Sequence, residues 1–232
     1  MKVKQFRYSA DNLGYLVYGT KDAVAIDCGA VEAILSFIKA NTLELKIVTN
    51  THSHADHTSG NRKTLKRSNA VYIDTQTLYE KKNINIEGEK LKILHTPGHT
   101  LDSFCFLAGN MLISGDTIFN GKVGRCFSGD MEGFLKSIKK ILELPKNTII
   151  YGGHDYVKEY MDVAKQIEPD NKNIDLYLKK YNPEHVSSNL GEELKVNPSL
   201  RFNDSKMVSV LKQKNLPVKT EFERWCSIMQ IV

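Results

Sequence analysis

The stretch from His52 to His57, HSHADH, constrains this chain more than any other: three histidines and an aspartate sit within six positions, just past the apolar run LKIVT (45–49). Such density is either a solvated loop or a metal site, because imidazole nitrogen and carboxylate oxygen suit zinc, and iron or manganese less exclusively. The preceding run reads as a strand, so His52 and His54, two apart in an extended segment, project to the same side. Asp56 and His57 fall where the chain turns into a helix and point elsewhere. One short segment thus offers two ligand pairs with different directions, and neither pair closes a site alone.

Three further positions share the same context. HTPGHT (95–100) places His99 after a Pro-Gly turn at the end of a strand, LISGDT (112–117) ends a strand with Asp116, and IIYGGHDY (149–156) ends another with His154. Each is flanked by glycine, which lets backbone approach a crowded centre closely. His95, on the strand before its turn, reads as a core or supporting residue, and His185, after Asn182-Pro183, as exposed.

Around these positions the pattern is strands first and helices later. QFRYS (5–9), LGYLVYGT (13–20) and DAVAIDC (22–28) read as antiparallel strands. VEAILSFIKAN (31–41) has helical spacing at Ile34, Leu35 and Ile38. A polar helix is expected around 58–67, then strands AVYID (70–74) and EKLKILHT (89–96), and a hairpin of FCFLAG and MLISGD through Gly109-Asn110. Asp130 starts and Pro145 stops an amphipathic helix, and TIIYGG (148–153) closes the strand series. From about residue 157 only helices are expected, in KEYMDVAKQIE, IDLYLKK and KMVSVLKQK, separated by prolines.

The chain's general character excludes several classes. The net charge of +5 comes from 26 Lys against 6 Arg, scattered among acidic residues, and no run resembles a nucleic-acid arm. The start MKVKQFRYSADN has neither the apolar stretch of a signal peptide nor the character of a transit peptide, and no apolar run approaches the roughly 20 residues that cross a bilayer. Cys28, Cys105, Cys126 and Cys226 are far apart and form no CxxC pair, as in a reduced cytosolic protein. The expectation is a cytoplasmic monomer that meets no nucleic acid and no membrane.

In order and context, His52, His54, Asp56, His57, His99, Asp116 and His154 resemble the seven-ligand set of the metallo-β-lactamase superfamily in its dinuclear form. The resemblance implies an α/β fold, an αββα sandwich with the metals at one edge of the two sheets. His52, His54 and His99 would hold one divalent cation and Asp56, His57 and His154 a second, with Asp116 between them. Zinc is the first expectation for both, with iron or manganese as alternatives. Asp27, in AIDCG, matches a position that usually supports the ligands and carries no expected catalytic role.

The later part of the chain is similar to one branch of that superfamily. GDTIFNGKVGRCFSGD (115–130), IEPDN (167–171) and SSNLGEELKVNPSLRFN (187–203) resemble the glyoxalase II, or hydroxyacylglutathione hydrolase, family, with Ser199 where an aromatic residue is usual. This implies a catalytic domain over 1–156 and a helical glutathione-substrate-binding domain over 157–232. The implied reaction is thioester hydrolysis, S-D-lactoylglutathione to D-lactate and glutathione, as a step of methylglyoxal detoxification. The implied nucleophile is a hydroxide shared by two cations, Asp116 and Asp56 being the catalytic carboxylates. Arg125, Phe127 and Tyr156 match glutathione-holding positions, Phe127 where a tyrosine is common. Near the end, FERWCSIMQIV offers Arg224 for an Arg-x-x-Lys pair but has Ser227 where lysine is usual, so a weakened grip is expected.

Three other readings remain. An iron-dependent glutathione persulfide dioxygenase of the same superfamily is expected to lack the helices after residue 157. An RNA-processing nuclease fits the basic charge but lacks a basic arm, and a non-catalytic scaffold would be expected to lose ligands.

Overall fold

The computed structural model describes residues 1–232. Strands β1 (Lys2–Tyr8), β2 (Asn12–Tyr18) and β3 (Asp22–Ile26) form an antiparallel meander. After helix α1 (Val31–Ala40), strand β4 (Glu44–Thr49) joins β3 in parallel. Helices α2 (Ala55–Thr58) and α3 (Asn61–Lys66) lead to the short parallel strand β5 (Val71–Tyr72). The first sheet therefore runs β1-β2-β3-β4-β5.

Helix α4 (Thr75–Glu80) crosses to the second sheet, whose strands are β6 (Asn83–Ile86), β7 (Glu89–His95), β8 (Phe104–Ala108) and β9 (Met111–Gly115). A two-stranded ribbon, β10 (Ile118–Phe119) and β11 (Lys122–Val123), precedes helix α5 (Met131–Leu142) and strand β12 (Ile149–Gly152). Then come α6 (Val157–Ile167), α7 (Lys172–Lys180), β13 (Ser188–Asn189), α8 (Leu190–Val196), α9 (Ser205–Gln213) and α10 (Glu221–Ile228). The second sheet is ordered β13-β12-β9-β8-β7-β6, with β12 and β9 parallel.

Alternation along the strands explains the layers, since successive side chains point to opposite faces. Leu13, Tyr15 and Val17 of β2 and Val24 and Ile26 of β3 join Phe104, Phe106 and Ile113 of the second sheet in one core between the sheets. Leu16, Ala23 and Ala25 face the other way, onto Ile34 and Ile38 of α1. On the far side Cys105, Leu112 and Ile150 pack against Phe134 and Ile138 of α5 and Trp225 of α10. Strands buried on both faces read as nearly unbroken apolar runs, as LGYLVY does. The result is helix, sheet, sheet, helix, the αββα sandwich expected from the resemblance.

Elements after residue 157 contribute to the same cores. Val157, Met161, Ile174 and Tyr177 belong to the core between the sheets, and Met207, Leu211 and Trp225 to that behind the second sheet. β13 also pairs with β12. The buried Glu193 carboxylate of α8 accepts hydrogen bonds from Tyr177 (2.5 Å), Ser188 (2.6 Å), Asn197 (3.0 Å) and the Gly121 amide (2.9 Å), which ties α8 to the β10–β11 ribbon. Burial raises the pKa of this carboxyl. No helix is long and apolar enough to cross a membrane.

Several local expectations change. The helix expected over 58–67 shortens to α3 (Asn61–Lys66), and the break at Ser59-Gly60 separates it from α2, which ends at Thr58. The strand expected over 70–74 shrinks to Val71–Tyr72, both exposed, because an edge strand needs no apolar alternation. Helices α4, α8 and α10 and strands β6, β10, β11 and β13 add to the expected elements.

Candidate metal centre

The C-terminal ends of β7, β9 and β12 lie at one edge of the second sheet, since β8 runs antiparallel to both β7 and β9, and β12 runs parallel to β9. His99 stands in the loop after β7, Asp116 directly after β9 and His154 two residues after β12. From the first sheet, β4 runs into Asn50-Thr51-His52; His54 caps the single turn of α2, which carries Asp56 and His57. All seven positions singled out in the sequence therefore meet. One ligand atom from each of His52, His54 and His99 lies within 4.8 Å of the others, and the same holds for Asp56, His57 and His154, and for His52, His57 and Asp116. Gly153 is needed at this edge: a side chain there would run into the Asp116 carboxylate and the His57 ring.

The outward ring nitrogens fix what the inward ones offer. His57 Nδ1 lies 2.9 Å from Asp27, His154 Nδ1 3.2 Å from Asp11, and His99 Nδ1 2.9 Å from the Arg125 carbonyl. Carboxylates and carbonyls only accept, so these nitrogens donate. His52 Nδ1 sits 3.1 Å from Thr51 Oγ1, whose own proton goes to Asp27 at 2.7 Å, so it donates as well. In the neutral rings, all four Nε2 lone pairs thus point inward. There His54 Nδ1 lies 2.9 Å from His52 Nε2 and 3.1 Å from His99 Nε2, while His57 Nε2 and His154 Nε2 are 3.3 Å apart. The carboxylate of Asp116 faces both groups, Oδ1 3.3 Å from His57 and Oδ2 3.4 Å from His99 and 3.5 Å from His154. Its Oδ1 is buried without a hydrogen-bond partner.

So many acceptors face one another that protons or cations must sit among them. In the chain alone, protons take part of that role. Burial disfavours charge on His57, yet Asp27 and Asp116 hold its pKa well above the ordinary value; burial likewise opposes charge on His154, where Asp116 wins. Burial pushes His52 down to about 3 and also lowers His99. Against its own burial, Asp116 is held well below the usual carboxylate range by His154 and His57. Bare imidazoles and ionised carboxylates in this arrangement are what divalent cations require, so the donor set fits two of them.

Of the positions matched to substrate contacts, three lie at the centre. Phe127 is 60% exposed and packs edge-on against His99 (centroids 5.2 Å apart) and His54 (5.9 Å), with the Arg125 guanidinium 5.3 Å from its ring. Tyr156 stacks on His154 at 5.1 Å with planes 2° apart. Arg224 stands apart on α10, donating to Asn203 Oδ1 (2.9 Å) and the Val218 carbonyl (3.1 Å). Ser227 is 1% exposed and donates to the Pro217 carbonyl at 2.7 Å, so that position faces inward here. Sequence reading passed over Asp11, on the β1–β2 turn, and Asn12, the first residue of β2; Asn12 donates to Asp56 Oδ2 at 2.8 Å. Adjacent turn-forming residues gave no sign of this, because they reach the site only through the pairing of Asn12 with His154.

A sandwich of this layering, with such a cluster at one sheet edge, defines a class: the chain belongs to the metallo-beta-lactamase superfamily, whose family model matches residues 12–81 and 74–154. Within it the chain falls among enzymes of the hydroxyacylglutathione hydrolase family. It is similar to the protein of that name from Pseudoalteromonas translucida, 30% identical over 97% of this chain and 95% of the relative. Another so named, from Bartonella tribocorum, is 32% identical over 94% of this chain and 93% of its own. The crystal structure of ETHE1 from Myxococcus xanthus shares the fold with a TM-score of 0.64 and 23% identity, over 98% of this chain and all of the other.

Proposed function

We propose that the chain hydrolyses S-D-lactoylglutathione and related 2-hydroxyacylglutathiones to the 2-hydroxy acid and glutathione, a step in removing methylglyoxal. The observation that carries this reading is the pair of converging trios sharing Asp116, in a chain whose 30–32% identical relatives are named hydroxyacylglutathione hydrolase. His52, His54 and His99 would hold one divalent cation and Asp56, His57 and His154 the other, Asp116 reaching both; zinc is the proposed metal, with iron or manganese as alternatives. Bound there, the cations would polarise the thioester carbonyl and bring the pKa of a water to roughly 7.

The chain's residues then have simple tasks. Asp116 holds both halves at a fixed separation, and Asp56, whose side chain is 47% exposed, stands where it can accept a hydrogen bond from the attacking water. Burial raises Asp56, but His57 and the Asn12 amide outweigh it and keep the carboxylate charged. A thiolate leaves readily, so no strong general acid is required. Phe127 and Arg125 beside the first trio and Tyr156 beside the second would border the glutathione moiety. The helices from 157 onward would form the rest of its surface.

Arg224 retains an Nη2 group without an intrachain partner and is proposed to meet a glutathione carboxylate. A partly exposed charge contact is worth about 0.2–1 kcal/mol. Arg224→Ala should therefore raise KM for lactoylglutathione roughly 1.4- to 5-fold with kcat unchanged; an unchanged KM removes Arg224 from the substrate site.

The helices after 157 do not separate this reading from an iron-dependent glutathione persulfide dioxygenase, as they are part of the sandwich's own cores. The relatives' names favour the hydrolase, and two substrates decide. Glutathione release from lactoylglutathione without oxygen uptake is the expected result. Oxygen uptake with glutathione persulfide, and no thioester cleavage, would reverse the ranking.

A further inference from the structure

The two trios are braced differently. Around the first, the supports come from Thr51 next to His52 and from the Arg125 carbonyl on His99. The second receives Asp27 on His57, but its other two members depend on the turn between β1 and β2. Asp11 takes the Nδ1 proton of His154 at 3.2 Å, and Asn12 donates to Asp56 Oδ2 at 2.8 Å. That Oδ2 is the oxygen facing the trio, 3.3 Å from His154 Nε2 and 3.5 Å from His57 Nε2.

The turn is itself tied down at this edge. The Asp155 amide donates to the Asp11 carbonyl at 2.9 Å, the Leu13 amide to the Gly153 carbonyl at 2.8 Å, and the Tyr8 hydroxyl to the Asp56 carbonyl at 3.2 Å. Asn12 is buried although it is polar. Asp56, by contrast, is half-exposed on a single helical turn, where a carboxylate without a partner samples several rotamers. A ligand that must be ordered on binding costs about 1 kcal/mol in side-chain freedom, and a histidine free to carry its proton on Nε2 must lose that tautomer first.

From this geometry we infer that Asp11 and Asn12 are positioning residues that set the affinity of the second cation, the one at Asp56, His57 and His154, while leaving the first nearly untouched. The inference rests on the two-cation reading above. Asn12 fixes the direction of the Asp56 carboxylate, and Asp11 keeps the inward nitrogen of His154 free of its proton. Control over the affinity of the second half is thereby placed on the first hairpin of the chain.

The test is zinc binding by the full chain, measured by competition with a chromophoric chelator, alongside thermal unfolding of the metal-free proteins. Wild type should take up two equivalents. In Asn12→Ala and Asp11→Ala, one equivalent should keep its affinity within about twofold and the other weaken about 10- to 100-fold, the usual effect of losing such a support. Asp11→Asn retains an acceptor for His154 Nδ1 and should recover most of the loss. In a His57→Ala background, where the second trio is already broken, adding Asn12→Ala should change nothing further.

Equal weakening of both equivalents, or two equivalents at wild-type affinity in both alanine variants, would overturn the inference and leave the two-cation reading standing. Wild type that binds no zinc, iron or manganese would overturn both. Unfolding temperatures of the metal-free variants close to wild type keep a general loss of structure from producing the expected result.

Discussion

Replacing Asp116 by alanine is expected to lower the hydrolysis of lactoylglutathione by three orders of magnitude or more, a loss of about 4 kcal/mol in transition-state stabilisation. The reason is position. Asp116 is the one carboxylate whose oxygens approach histidines of both trios, His57 and His154 on one side and His99 on the other. Its Oδ1 is buried and makes no hydrogen bond within the chain, an arrangement a fold tolerates where a cation supplies the missing partner. Without the carboxylate, the inward imidazoles of the two trios would lose the negative charge that lies between them, and bound metal per chain should fall in the same samples. Undiminished activity with Asp116→Ala would remove the two-cation account.

Asp27→Asn should act almost as strongly although Asp27 is not itself a proposed ligand. Asp27 accepts from the Thr51 amide (2.8 Å), the Thr51 hydroxyl (2.7 Å) and His57 Nδ1 (2.9 Å), and all of it is buried. It sits at φ 53°, a left-handed conformation that asparagine accepts as readily as aspartate, so the backbone should survive the change. The amide, however, has one accepting atom instead of two. With its oxygen on the Thr51 amide, its NH2 must face Thr51 Oγ1 and His57 Nδ1, which forces the His57 proton onto Nε2. The Thr51 hydroxyl, released from Asp27, can then donate to His52 Nδ1 and flip that ring too. Both trios would present N–H groups where cations need lone pairs. The expected outcome is a fall in rate on the order of 10²- to 10⁴-fold, the scale of enforcing a wrong histidine tautomer, with metal affinity reduced and a near-normal fold by circular dichroism. Normal activity in Asp27→Asn would show that the tautomers are not held this way.

The candidate site was more legible in the sequence than the fold around it. Histidine and aspartate at strand ends next to glycine mark themselves by type and position, and His52, His54, Asp56, His57, His99, Asp116 and His154 do converge. Supports such as Asp11 and Asn12 escape, since an Asp-Asn turn looks the same whether or not a distant strand brings His154 beside it. The strands of the two central sheets were also readable, because burial on both faces leaves long apolar runs. What was missed is mostly short or polar. Helices α8 and α10 each begin with a capping box, Asn189 with Glu192 and Thr220 with Glu223, a signal present in the sequence but followed by only seven and eight helical residues. β13 has two residues and exists only through its pairing with β12. Arg224 rests on its resemblance to an Arg-x-x-Lys pair, and such a match does not show that Ser227, three residues on, faces the interior.

Hydrolysis of S-D-lactoylglutathione by the full chain, first stripped of metal and then titrated with zinc while bound zinc is measured on the same samples, tests the central claim most directly. The account predicts an inactive stripped protein whose rate returns as bound zinc approaches two per chain. A stripped protein as fast as the reconstituted one, or a chain carrying two zinc ions that leaves the thioester intact, would contradict it.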